Sequence, residues 1–461
     1  MSIFSGSGHA KSLSWRCLSL YGSAVHPVSV LIFLLFASAA AYPAELPSTP
    51  LTLDAALQVA EAHSHALQAQ DAATRSSREL AISAGRLPDP VLRLSVDNLP
   101  VEGDMRYSLT DDFMTMRSVE LMQTYASTDK RRARGAVFER EADAAQAMRT
   151  LQLVAVRQGT ARAWFDRYYQ QRRLDLLVGQ RWEAMLQAEA VETAYGSGRA
   201  MQADVFLMRA LVARLDDSVQ EVRAELVSAD QTLARWVGDA VTFALAEPPR
   251  IDQLPPTVDQ ALAHQLDQHP DIVLMAARES MALAEAEVAR QEKNADWTWS
   301  LMYSQRGPDY DDMMSLGVSV PLQWDHKNRQ GRELAARRAK AEQLRAETEE
   351  LRRERAVEVQ RMLVNWRSNL TRLRDYDRTL IPLTAARIDA ANAAYRSGTA
   401  QLAEALEARR SAIDTRLERL RIEMQTAFLW AALAFLVPAS AEPTGQHADM
   451  VFANSGSRHH E

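Results

Sequence analysis

The chain has 461 residues, of which 47% are hydrophobic and 25% are charged, and its formal net charge at pH 7 is −7. This acidic balance excludes a protein whose main surface binds nucleic acid, because contact with phosphates needs a basic face. Glycine and proline number only 17 each, and their scarcity beside abundant Ala, Leu, Arg and Glu indicates long helices.

The N-terminus has the pattern of a secretory signal peptide. Lys11 and Arg16 precede an apolar run at 28–41, which is too short to span a bilayer and suits the apolar region of a signal sequence. Residues 1–44 are therefore predicted to be removed on export, with a single uncleaved anchor as the alternative. The one cysteine, Cys17, lies in this segment, so the exported chain is predicted to form no disulfide.

One phrase of the sequence occurs twice, at an offset of 200 residues. "AYGSGRAMQAD" begins at Ala194 and "AYRSGTAQLAE" begins at Ala394. Two further patches are repeated in the same order, so we predict two fused copies of one structural half. The predicted segments are a first repeat at 51–239, a Pro-rich linker at 240–257, a second repeat at 258–438 and a disordered tail at 439–461.

Each half is predicted to begin with a helix and to continue with two strands. The helices are predicted at 52–85 and 257–292. The runs "VLRLSVDN", "VELMQTY", "WTWSLMY" and "SLGVSVPL" alternate between apolar residues and small or polar ones. In the last of them, Leu316 and Val318 fall on one side and Ser315 and Ser319 on the other. Alternation of this kind predicts strands with one apolar face.

Two long helices are predicted to follow the strands of each half. The stretches 129–173 and 329–374 contain no proline, and about 45 residues at ~1.5 Å each make a rod of ~65 Å. Returning helices are predicted to begin near Gln180 and Pro382. We expect each returning helix to be kinked at its copy of the Tyr-x-Ser-Gly phrase, where glycine permits a change of direction.

Four strands cannot close a barrel in one chain, and an open sheet edge is not tolerated in lipid. Three chains would contribute twelve strands, with apolar faces toward lipid and the Ser, Gly and Arg faces toward an aqueous lumen. The long helices would then form a hollow cylinder in the periplasm.

The repeat, the strands and the helix breaks together resemble the TolC-like outer-membrane efflux proteins, over residues 51–437. The stretches "DNLPVEGDMRYSLTDDFMTMRSVELMQ" and "ADWTWSLMYSQRGPDYDDMMSLGVSVPLQWDHKNRQGRE" resemble the heavy-metal branch of that family, the cobalt–zinc–cadmium resistance type. The chain departs from many relatives because no cysteine follows the apolar run to carry a lipid.

The resemblance implies a mainly α fold with a small membrane β-barrel, a two-fold internal repeat and a trimeric α/β-barrel tunnel with four strands per protomer. It implies a passive exit duct for heavy-metal cations, the outer-membrane component of a tripartite RND-type efflux system. The implied partners are a homotrimer, a periplasmic membrane-fusion adaptor, an inner-membrane RND pump and outer-membrane lipid. No cofactor, no nucleic acid and no enzymatic activity are implied.

Three groups of residues are candidates for functional roles in such a duct. Carboxylates at a helix reversal would form rings of three in a trimer, which would select cations and constrict the entrance. The predicted periplasmic gate comprises Asp375, Asp377, Arg172, Arg173 and Asp175. The predicted adaptor-docking groups, at equatorial kinks, are Tyr195, Gly198, Tyr395 and Gly398. Weak candidates for metal ligands are Met114, Met116, Met313 and Met314, because thioethers suit soft cations.

Two other functions stay open at the level of sequence. One keeps the outer-membrane duct but changes the cargo to drugs or other organic compounds. The other is a periplasmic coiled-coil scaffold or adaptor without a barrel, against which the four alternating runs argue. No nucleophile–base pair or nucleotide-binding motif indicates an enzyme.

Overall fold

The structure is a computed structural model and describes residues 50–242, 244–255 and 266–436. The predicted signal peptide with Cys17, the predicted tail at 439–461 and the beginning of the helix predicted at 257–292 lie outside the described residues.

The first half consists of two short helices, two strands and a hairpin of long helices. These elements are α1 (Leu53–His63), α2 (His65–Ala84), β1 (Val91–Asp97), β2 (Met116–Tyr125), α3 (Thr128–Gly196) and α4 (Gln202–Val237). The helix predicted at 52–85 is divided at Ser64. The hydroxyl of Ser64 accepts a hydrogen bond from the N–H of Leu67 and so starts a second helix.

The second half repeats this order. Its elements are α5 (Pro270–Gln291), β3 (Trp297–Gln305), β4 (Met313–Ser319), α6 (Gln330–Asp375), a π-helical turn (Tyr376–Leu380), α7 (Ile381–Arg396) and α8 (Leu402–Ala434). Helix α5 begins at Pro270, after a short 3-10 helix at Leu266–Gln268. The ring of His269 caps it by accepting from the N–H of Asp271, and proline is favoured in a first helical turn.

The predicted reversals near Gln180 and Pro382 are wrong. Helix α3 continues without interruption for 69 residues, and α6 passes through the π-helical turn into α7. Proline lacks an N–H and its ring crowds the carbonyl four residues earlier. Immediately before Pro382 the helix widens, and Ile381 N–H donates to the carbonyl of Tyr376, five residues earlier. This widening lets the helix accept the proline without ending.

The chain reverses instead at the two repeated phrases. Gly198 and Gly398 have φ angles of 72° and 75°, a conformation that favours glycine. The turn that contains Gly198 joins α3 to an antiparallel α4, and the turn that contains Gly398 joins α7 to α8. The residues predicted to make equatorial kinks therefore form the tips of two helical hairpins.

The main core lies where the linker crosses the helices. Trp164 and Phe165 of α3 are fully buried there, with Leu433 of α8. The indole N–H of Trp164 donates to the carbonyl of Leu51, that of Trp366 to Ile251 and that of Trp430 to Gln253, at 3.1, 3.0 and 2.8 Å. The bonds to Ile251 and Gln253 fix the irregular backbone of the linker on the helices, and the bond to Leu51 fixes the segment before α1.

The four strands form one antiparallel sheet in the order β1-β2-β3-β4. The central pair, β2 and β3, joins the two halves of the chain, with Val119 opposite Tyr303 and Tyr125 opposite Trp297. Over the ranges that the structure describes, no helix combines the length and the apolar character needed to cross a membrane.

Candidate functional site

One face of the sheet is apolar and exposed. In register across the four strands lie Leu94, Val119, Tyr303 and Met314, and the next row contains Leu316. Leu94 is 71% exposed and Leu316 is 77% exposed. A continuous apolar surface of this kind marks a face that is covered by another apolar phase or partner.

The opposite face is polar and partly joined by its own hydrogen bonds. Ser118 donates to the carboxylate of Asp97 at 2.8 Å, and its hydroxyl lies 2.9 Å from that of Ser304. Thr124 and Thr298 make the same kind of contact at 2.9 Å. Arg93 and Glu120 lie opposite each other with 3.9 Å between their charged groups. The sheet therefore has one face that suits an apolar phase and one face that suits water.

The methionines predicted as weak metal ligands are divided by this sheet. Met116 and Met313 lie on the polar face, whereas Met314 lies on the apolar face and is 75% exposed. Met114 precedes β2 and its N–H donates to the carboxylate of Asp112 at 2.7 Å. Within the described ranges, no three His, Cys, Asp or Glu side chains are close enough together to hold a metal ion.

Two methionines of the polar face were missed at the level of sequence, Met122 and Met302. In its strand, each lies an even number of positions from a serine of the polar face, so the alternation alone could have placed it on that face. They were missed because the candidates were chosen by their closeness to paired aspartates.

A buried lysine joins the two halves next to the sheet. The Lys130 side chain, in the first turn of α3, is 1% exposed. Its ammonium group lies 2.8 Å from Asp296, 3.1 Å from Glu292 and 2.7 Å from the carbonyl of Asn294, all from the second half. Burial alone would raise the pKa of Glu292, but hydrogen bonds from Arg134 and Lys130 outweigh it and hold the pKa below its usual value.

The gate candidates of α3 lie in the body of the helix. Arg173 forms an ion pair with Glu225 of α4, and Asp175 accepts from the side chain of Gln171 at 2.8 Å. Arg172 is exposed. The expected Arg–Asp pair at a reversal is therefore not formed in the described chain, because α3 does not end here.

The gate candidates of the second half flank the π-helical turn. Asp377 accepts two hydrogen bonds from Arg419 of α8, at 2.9 and 3.2 Å, and Arg419 also pairs with Glu423. The hydrogen bond to Asp377 outweighs burial and raises the pKa of Arg419. Asp375 is exposed and forms no ion pair with a described residue. These residues lie far from the tip, and their role at a gate stays a prediction.

The two hairpin tips have nearly the same internal bonds. Ser197 donates to the carbonyl of Ala194 at 2.9 Å, and Ser397 donates to Ala394 at 3.0 Å. A Cβ added at Gly198 or Gly398 would meet no atom within 4 Å, so both glycines face open space. Tyr195 is 47% exposed, whereas Tyr395 packs against the cluster of Val205, Met208 and Leu402. Burial, and then the charge of Asp204, raises the pKa of Tyr395.

The sheet and the paired helical hairpins occur together in solved structures of outer-membrane channels. The chain matches the outer-membrane channel OprN with a TM-score of 0.68 at 17% identity, over 83% of this chain and 89% of that one. It matches the outer membrane protein VceC from Vibrio cholerae with a TM-score of 0.68 at 18% identity, over 83% and 95%. It matches CusC with a TM-score of 0.70 at 14% identity, over 84% and 92%.

The chain has the fold of these outer-membrane channels. No family model matches the sequence. A curated relative is the cobalt-zinc-cadmium resistance protein CzcC of Cupriavidus metallidurans, 25% identical over 382 residues that cover 82% of this chain and 87% of CzcC. The resemblance to TolC-like outer-membrane efflux proteins of the heavy-metal branch is thereby confirmed. The coarse fold class, mainly helical with a small antiparallel sheet, is confirmed as well.

Proposed function

We propose that this protein is the outer-membrane exit duct of a tripartite RND-type efflux system, passing heavy-metal cations across the periplasm and the outer membrane. One observation carries the proposal: a four-stranded sheet with one apolar and one polar face is followed, in each half of the chain, by a long helical hairpin. The duct needs no catalytic group, since it only encloses a path.

The sheet argues for a trimer. Both edge strands, β1 and β4, lack a partner on their outer side within the described chain, and unpaired edges are not tolerated in lipid. Three copies would close twelve strands into a barrel, with the face that includes Leu316 toward lipid and the face that includes Ser118 toward the lumen. Exposed apolar side chains on the first hairpin, such as Phe206 at 58%, would pack against a neighbouring copy.

The helices supply the periplasmic part of the duct. Helix α3 has 69 residues, which at ~1.5 Å per residue extend ~100 Å. The tips at Gly198 and Gly398 then lie at the end remote from the sheet. We place the contact with a periplasmic adaptor there, because Tyr195 is exposed and a groove of about 550 Å³ between α3 and α4, which includes Trp182, extends to Glu192, three residues before it.

A constriction at the π-helical turn is the second part of the proposal. About 20 residues separate Asp375 from the tip turn, a distance of ~30 Å along the helix. In a trimer, Asp375 would form a ring of three carboxylates that attracts cations, and the Asp377–Arg419 pair would hold the turn in place. Arg172, Arg173 and Asp175 would line the neighbouring stretch of α3.

The cargo is proposed from CzcC, whose name refers to resistance to cobalt, zinc and cadmium. The decisive experiment deletes the gene and measures growth inhibition by zinc, cobalt, cadmium, nickel, copper and silver beside antibiotics and detergents. Selective sensitivity to metals, restored by the intact gene, supports the proposal. Sensitivity to organic compounds alone would replace the cargo with drugs. Extraction of the protein by a salt wash instead of detergent would replace the duct with a periplasmic scaffold.

A further inference from the structure

Three methionines form a diagonal row across the polar face of the sheet. In the strand pairing, Met122 of β2 lies opposite Ser300 and Met313 of β4 lies opposite Ser304. Met302 of β3 lies between these two serines, and is therefore a diagonal neighbour of both methionines. Diagonal neighbours in antiparallel sheets are ~7–8 Å apart, within reach of long side chains.

These methionines do not belong to an apolar core. The other positions of the polar face carry serine, threonine, glycine, three ionisable side chains and one further methionine, Met116, apart from Val91 at the beginning of β1. Methionine in a core fills gaps among aliphatic and aromatic groups. Here the cross-strand neighbours of Met302 are Glu120 and Ser315, so packing alone does not account for three thioethers in a row.

The charged groups on this face already have partners. Glu120 faces Arg93 at 3.9 Å, and Asp97 accepts from Ser95 at 3.0 Å and from Ser118 at 2.8 Å. A cation that reaches this part of the face therefore meets thioether sulfurs and hydroxyls, and the neighbouring carboxylate of Glu120 is already paired with Arg93. Thioether sulfur is a soft ligand that selects Cu(I), whereas hydroxyl and carboxylate oxygens suit harder ions.

We propose that Met122, Met302 and Met313 form a row of weak thioether sites that passes soft monovalent cations, Cu(I) and its analogue Ag(I), along the channel wall. The inference rests on the proposed function, because it takes the polar face as the wall of the duct. Neutral donors on neighbouring strands suit conduction, since an ion must bind well enough to enter and weakly enough to leave. Met302, at the centre of the row, shares an ion with either neighbour.

The test compares two triple variants of the full-length protein. Met122→Leu/Met302→Leu/Met313→Leu removes the row, and leucine nearly conserves the volume of methionine. The matched control, Met105→Leu/Met185→Leu/Met201→Leu, removes three methionines that are 50%, 38% and 64% exposed and lie outside the sheet. Equilibrium dialysis against silver nitrate in chloride-free buffer measures the silver bound to each purified protein.

We expect the row variant to lose most of the silver-binding capacity that the control retains, and zinc binding to be equal in both. Equal silver binding by the two variants overturns the inference. Should the row variant fail to fold, Met302→Leu is compared with Met105→Leu, because the thioether of Met302 takes part in both pairs of the row. The growth panel is independent: metal sensitivity of the deletion strain with equal silver binding refutes only the row. Loss of silver binding without metal sensitivity refutes only the duct for metals.

Discussion

Replacing Lys130 by methionine should destabilise the protein strongly, although the residue lies far from any gate or tip. Methionine keeps the length of the stem and removes the ammonium group, which leaves Asp296 without its closest cation and Glu292 with one cation instead of two. Removal of one partner from a buried ion pair costs ~3–5 kcal/mol.

The structure places the expected cost at the lower end of that range. The carboxylates of Glu292 and Asp296 are 37% and 25% exposed. Both also remain near Arg134, at 2.7 and 3.6 Å. We therefore expect a loss of about 3 kcal/mol in the free energy of unfolding, which is a factor of roughly a hundred in the equilibrium constant.

The assay is guanidinium unfolding of the purified protein in detergent micelles, followed by tryptophan fluorescence. Arg132→Met is the matched control, two residues away on the same helix. Arg132 and Asp129 form a pair at 3.5 Å with both side chains more than two-thirds exposed, and such pairs contribute ~0–1 kcal/mol. Equal effects of Lys130→Met and Arg132→Met would refute the reasoning.

The pH dependence gives a second check on the same contact. A carboxyl whose folded pKa is lowered contributes stability above its unfolded pKa and loses it as pH falls through the folded value. The usual pKa of Glu292 is 4.5, and its folded pKa lies below that. The stability difference between wild type and Lys130→Met should therefore shrink as pH falls below 4.5. A difference that is constant with pH would point to packing rather than charge.

Three further predictions concern other parts of the fold. Burial lowers the pKa of His269 from 6.5; the charge of Asp271 opposes this shift and the charge of Arg355 adds to it. The folded state therefore binds fewer protons than the unfolded state, and its stability should fall as pH drops below 6.5. His269 caps the helix through its ring nitrogen Nδ1, and Asn in its place supplies an oxygen that can accept the same bond. Between neutral and mildly acidic pH, the melting temperature of His269→Asn should therefore fall less than that of wild type, and an equal fall contradicts the assignment. Gly398→Ala should cost ~1 kcal/mol because φ is +75°. Gly179→Ala lies inside α3, where an added Cβ meets no atom within 4 Å, and should stabilise by up to ~1 kcal/mol. Shifts of the denaturant midpoint in the same direction for both variants would contradict this. Trp430→Phe should cost ~1–2 kcal/mol by leaving the carbonyl of Gln253 without its donor, while the exposed Trp182→Phe should leave the midpoint unchanged, and a similar shift in both would refute the role of the indole.

The class of the protein was determined by local patterns in the sequence. Strand alternation, proline-free helical runs and the phrase repeated at Ala194 and Ala394 do not depend on distant contacts, so they survive in the folded chain. Because alternate residues of a strand point to opposite faces, the sequence also predicts which strand residues share a face of the sheet. Those features carried the resemblance to outer-membrane efflux proteins.

The tertiary structure decided where the helices turn. A proline at 382 and charged residues at 172–175 suggested reversals, yet α3 passes one site unbroken and a π-helical turn absorbs the proline at the other. Whether a helix ends is decided by the hairpin partner that packs along it, which a local pattern does not contain.

The partners of individual side chains were likewise decided by the fold. The three residues that meet Lys130 come from more than 160 positions later in the chain, and the row of Met122, Met302 and Met313 exists only because the register aligns strands from both halves. Register depends on the pairing of whole strands, and so the sequence determines which residues share a face while the assembled sheet determines which of them meet.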